Sequence, residues 1–111
     1  MAYDEELADR IRELVAPQAN LAEKKMFGGL AFLIGGHMAV AASGQGGLLV
    51  RADPERADAL LDTGVAEPMV MRGRPMSGWL RVPASAVEEQ AELERWVGVG
   101  VGYASGLPPK R

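Results

Sequence analysis

The chain has 111 residues, 48% of them hydrophobic and 24% charged, with no cysteine and a formal net charge of −3. That length fits one domain, residues 1–111, and that composition excludes disorder over most of it. The missing cysteines exclude a disulfide framework, a thiolate nucleophile and a Cys-containing zinc site, and the acidic balance argues against a domain built to grip phosphates over a broad surface.

The N-terminus, Met1-Ala2-Tyr3-Asp4-Glu5-Glu6, is acidic. It shows no basic segment leading into an apolar one, so no signal peptide is expected. The apolar runs Leu30–Ile34 and Leu48–Val50 fall far short of the ~20 residues that span a bilayer. The expectation is a cytoplasmic protein with no membrane partner.

Leu7, Ile11, Leu14 and Val15 recur at the spacing of one buried helix face. Asp4, Glu5 and Glu6 in the first turn suit the helix dipole, and Pro17 ends the segment. Leu21–Phe27 reads as a strand whose charged Glu23, Lys24 and Lys25 suit an exposed edge. Gly28-Gly29 breaks it. Leu30–Ile34 is a second strand, Gly35-Gly36 a two-residue hairpin signal, and His37–Ala42 a third strand. Ser43–Gly47 turns the chain into a fourth strand, Leu48–Arg51.

Asp53-Pro54 opens a second helix, with Asp53 as N-cap and Pro54 in the first turn. Ala57, Leu60 and Leu61 give its apolar face and Gly64 its stop. Pro68–Met71 and Gly78–Val82 are further strands, joined by the turn-rich connector Arg72–Ser77. Pro83 ends the sheet. Ser85 and Glu88 match a capping box, and the last helix is predicted from about Glu89 to Ser105, with Leu93, Trp96, Val97 and Val101 inward. Residues 106–111 form a tail expected to fray.

One segment pulls the other way. Trp96–Gly102 alternates with period two, as a strand does, and three glycines in a helix together cost about 2–3 kcal/mol relative to alanine. Its helical flanks decide for helix. Gly98, Gly102 and Gly106 then share one side, a close-packing stripe for the sheet or for a second copy of the chain. The element order predicts an α+β fold: an N-terminal helix, a bent, mostly antiparallel sheet of about five or six strands, one helix inserted after the fourth strand, and a C-terminal helix.

The chemical inventory is thin. His37 is the single histidine and starts a strand at an exposed position, with no nucleophile or orienting acid marked beside it. Gly44–Gly47 leads into a strand with no lysine, unlike a phosphate loop. No cofactor or metal is expected, and the chain reads as non-enzymatic. A small enzyme with a carboxylate-based site is the alternative. Arg72-Gly73-Arg74-Pro75 matches the core of the AT-hook, which lays arginines into a narrow minor groove. Set between apolar strands, it reads first as a solvated turn. Arg51, Arg72, Arg74 and Arg81 are nonetheless the candidate patch for an acidic partner. The methionines Met26, Met38, Met69, Met71 and Met76 lie in or beside strands and read as core.

Several segments, in order, resemble the N-terminal domain of the TfoX/Sxy family of bacterial competence regulators. They are the first amphipathic helix, Lys24-Lys25-Met26-Phe27-Gly28-Gly29-Leu30-Ala31-Phe32, Gly36-His37-Met38-Ala39, Leu49-Val50-Arg51, Gly73–Trp79 and the closing Trp96-Val97…Leu107-Pro108-Pro109-Lys110. The resemblance implies helices on a strongly bent antiparallel sheet. It also implies a link to transcription of DNA-uptake genes, where the family acts with a cyclic-AMP-responsive activator. It implies no catalytic residues. Longer members add a C-terminal helical domain. The expected partner is another protein of the transcription machinery or a second copy as a homodimer, with nucleic acid ranked below both.

Overall fold

A computed structural model describes residues 3–26 and 28–108, and at Met71 the backbone alone. Helix α1 spans Glu5–Val15; the Asp4 carboxylate caps it, accepting from the Leu7 N–H at 3.1 Å. Strands β1 (Leu21–Met26), β2 (Gly29–Ile34), β3 (His37–Ala42) and β4 (Leu48–Arg51) follow. Helix α2 spans Pro54–Leu61, with Asp53 accepting from the Glu55 N–H at 2.9 Å. Strands β5 (Glu67–Met71) and β6 (Arg74–Val82) precede a 3-10 turn at Ala84–Val87 and helix α3, Gln90–Ser105. The fold is α+β, with six antiparallel strands in the order β1-β2-β3-β4-β6-β5.

Alternation along the strands divides the apolar residues between two faces. Phe32, Val40, Leu48, Val50, Leu80 and Val82 meet the helices, which supply Ile11, Val15, Leu93 and Trp96 to one buried cluster. The cluster on the opposite face holds strand residues only: Ala31, Met38, Ala41, Leu49 and Met69, with Met26, Leu33 and Trp79 against it. Met38 and Met69 are therefore core, as their strand positions predict, while Met76 is half-buried.

Two irregularities bend the sheet. Phe32 pairs with Val40 and Leu33 with Met38, leaving Ala39 as an extra residue in β3. Such a bulge kinks its strand and sharpens the local twist. The β5–β6 ladder shifts register between Pro68 and Val70, where β6 carries Gly78 at φ 81°.

Three local expectations change. Strand β6 begins at Arg74, not Gly78, because Met71 pairs with Arg74 and the connector shrinks to Arg72-Gly73. The Ser85–Glu88 capping box does not form: those residues belong to the 3-10 turn and its end, and Glu89 precedes α3 with no side-chain cap. The Trp96–Gly102 segment is helical, yet its exposed glycine stripe is not what touches the sheet. A Cβ on Gly98 or Gly102 meets nothing within 4 Å, whereas one on Gly100 falls inside contact distance of the Ala39 carbonyl and the Val40 side chain. Gly100 takes the close-packing role expected of the stripe.

Candidate functional site

The β5–β6 hairpin turns on two residues, Arg72 at φ 53° and Gly73 at φ 76°. Both positive angles are what a type I′ turn demands, and Asn-Gly or Asp-Gly usually supplies them. The other described non-glycine residue with positive φ is Asn20, a type that tolerates it. An arginine there costs about 1 kcal/mol in backbone strain. Strand β4 pairs with β6 only through Trp79–Val82, so Arg74–Gly78 run beyond it as a two-stranded ribbon with β5. Arg72, Gly73, Arg74 and Pro75 are exposed. Behind them Val70, 56% exposed, pairs with Pro75.

The four candidate arginines do not converge on one patch. Arg72 and Arg74 share the ribbon tip. Arg51 pairs with Trp79, and its guanidinium carbon lies 5.1 Å from the Trp79 ring centre and 5.7 Å from that of Tyr103. Those distances suit a cation–π contact with each ring. Arg81 stands opposite Leu49 on one side and Glu67 on the other, lining a cavity of about 430 Å³ with Ser43, Gln45 and Met69. It lies seven residues from Arg74, roughly 20 Å along an extended strand. Register, a long-range property, scatters residues that the linear sequence groups.

Helices α2 and α3 enclose a second groove of about 270 Å³. Asp53, Arg56 and Leu60 form one wall, and Gly98, Gly102, Gly106 and Tyr103 the other. The stripe therefore lines a groove that the described residues leave open.

His37 is half-buried, not exposed at a strand start as expected, because the chain after α3 crosses it. Its Nε2 donates to the Pro108 carbonyl at 2.7 Å, since a carbonyl only accepts. Among the described residues its Nδ1 is closed off from solvent without a partner, as is the Trp96 Nε1. The sequence holds no local signal for this contact, which joins residues far apart in the chain.

Among the carboxylates, Glu23 is tied most firmly. Arg12 donates to it through Nε at 2.7 Å and Nη2 at 2.9 Å, and also binds Asp9. The hydrogen bond from Arg12 holds the Glu23 carboxyl below its ordinary range, against a smaller opposing effect of burial, and Glu23 in turn pushes the Arg12 guanidinium up. This pair fastens α1 to β1. Arg10 fastens α1 to the start of α3, donating to the Glu88 carbonyl and Gln90 Oε1. Among the described residues, no three His, Asp or Glu side chains are grouped as metal ligands, and no helix is long and apolar enough to cross a membrane.

No curated protein and no solved structure matches the chain. A family model does: the TfoX N-terminal domain, over residues 13–103. The match runs from within α1 to the last turn of α3, taking in the whole sheet and both bulges. The chain belongs to the TfoX N-terminal domain family.

Proposed function

We propose that the chain is a non-enzymatic regulatory domain that acts in the cytoplasm by binding a protein of the transcription machinery, in the manner of the competence regulators of its family. The family match over residues 13–103 carries this reading. It gains support from how the polar groups are used. The single histidine holds a backbone carbonyl, and Glu23, the most perturbed carboxylate, holds two elements together. Groups engaged in this way serve the scaffold, which supports a binding role over a catalytic one.

The test is genetic and then biochemical. Deleting the gene lowers transcripts of DNA-uptake genes in the host, and restoring it on a plasmid recovers them. The purified protein then alters the complex between a cyclic-AMP-responsive activator and an uptake-gene promoter. Unchanged transcripts and an unchanged promoter complex refute the proposal.

A further inference from the structure

We propose that the β5–β6 hairpin is a nucleic-acid-contacting arm, its two tip arginines entering the minor groove of A·T-rich duplex DNA. This goes beyond the protein-binding reading and stands or falls separately from it.

Charge sets the arm apart. From Pro68 through Val87 the chain has no Asp or Glu and three arginines, although the whole chain is acidic. Among the described residues, neither Arg72 nor Arg74 takes part in a side-chain hydrogen bond or ion pair. Elsewhere Arg12 is held by acids and Arg51 lies near the Trp79 and Tyr103 rings, while Lys24 and Lys25 are exposed on β1. The arm therefore presents two unpaired cations at its tip on an anionic body, an arrangement that orients a protein toward a polyanion.

Shape selects the groove. The minor groove is only about 6 Å wide, too narrow for a helix but open to extended arginine side chains, and A·T tracts narrow it and deepen its negative potential. A two-residue turn is the narrowest tip a hairpin can present. Between the arginines Gly73 has no Cβ, and one placed there would meet nothing within 4 Å, so the groove walls can approach the backbone. Directly behind, the paired Val70 and Pro75 give an exposed apolar shoulder, the kind of surface that minor-groove binders press against sugars and base steps.

Strain makes the same point. Arg72 occupies a turn position that Asn, Asp or Gly fill at no cost. Retained strain of this sort clusters where a side chain has a task.

The test measures binding of labelled short duplexes, one A·T-rich and one G·C-rich, across a salt series. The full chain is expected to bind the A·T duplex more tightly, with a slope of log K against log salt of about −2, one unit for each arginine. The double variant R72N/R74Q keeps a well-formed turn and is expected to flatten that slope to near zero. A control with the same loss of charge on the helices, R56Q/R95Q, is expected to keep it. A chain that binds neither duplex at low salt overturns the proposal. So does equal weakening by the two double variants, or tighter binding to a poly-glutamate peptide than to the A·T duplex, which would make the arm a reader of acidic proteins.

Discussion

Gly100 on α3 lies against the backbone carbonyl of Ala39, the extra residue that kinks β3. The bulge pushes that carbonyl toward the helix, and the missing side chain lets the helix come down on it. Three alternating glycines are therefore not equivalent. Gly100→Ala places a methyl into backbone that cannot yield, and overpacking of this kind costs about 1–3 kcal/mol. Gly98→Ala and Gly102→Ala add a methyl to open space on an exposed helix face and should each stabilise by about 0.8–1 kcal/mol. Urea denaturation of the three variants checks the contrast. Equal effects at all three positions would show that helix propensity alone governs the segment.

At the hairpin tip the sign is reversed between stability and proposed function. Arg72→Asn restores the preferred Asn-Gly turn and should stabilise the protein by about 0.5–1 kcal/mol. Arg72→Lys, which keeps both the charge and the strain, should leave stability near that of the parent. Thermal unfolding of both variants tests this. A destabilised R72N protein would mean that the arginine makes a contact that offsets its backbone strain.

Much of the architecture is legible because local chemistry and global packing agree. Gly35-Gly36 and Asp53-Pro54 mark a turn and a helix start that the fold uses as expected, with Asp53 capping α2. Phe32, Val40 and Val50 face the helices, but their strands are apolar on both faces, so the sequence does not mark that side. What escapes the sequence is long-range. Ser85 has the local pattern of a cap, but Val87 is drawn into the core and the segment tightens into a 3-10 turn. The bulge at Ala39 has no local signature, so Gly100 cannot be told from Gly98. The arginines are close in sequence, yet the ladder of β6 with β4 and β5 carries Arg81 away from Arg74. Arg51 engages Trp79 and Tyr103, the latter from a helix some fifty residues on.

The Glu23–Arg12 pair ties pH to the seating of α1 on the sheet. Arg12 holds the folded-state Glu23 carboxyl below its unfolded value. A depressed carboxyl contributes stability above the unfolded value and loses it as pH falls through the folded one. Glu23→Gln should thus be less stable than the parent at neutral pH, and the difference should close as the solution is acidified through the carboxylate range. Both side chains are partly exposed, so high salt should shrink the neutral-pH difference as well. Denaturation of the two proteins at several pH values measures it. A gap that stays constant down to strongly acidic pH would show that Glu23 contributes packing and not charge.

His37 and Pro108 make a long-range tie between the start of β3 and the segment after α3. The His37 ring and the Pro108 carbonyl should act as one unit. His37→Ala loses the donor, and removal of residues 108–111 loses the acceptor, each costing about 1 kcal/mol. Because both changes delete the same bond, the doubly altered chain should be barely worse than either alone, a coupling of about 1 kcal/mol in a double-mutant cycle. Hydrogen exchange adds a second readout. Amides at the end of α3, around Ala104, should lose protection to the same degree in both singly altered chains. Strictly additive stabilities, with Ala104 protected as in the parent, would mean that the bond holds the tail in place without supporting the helix that precedes it.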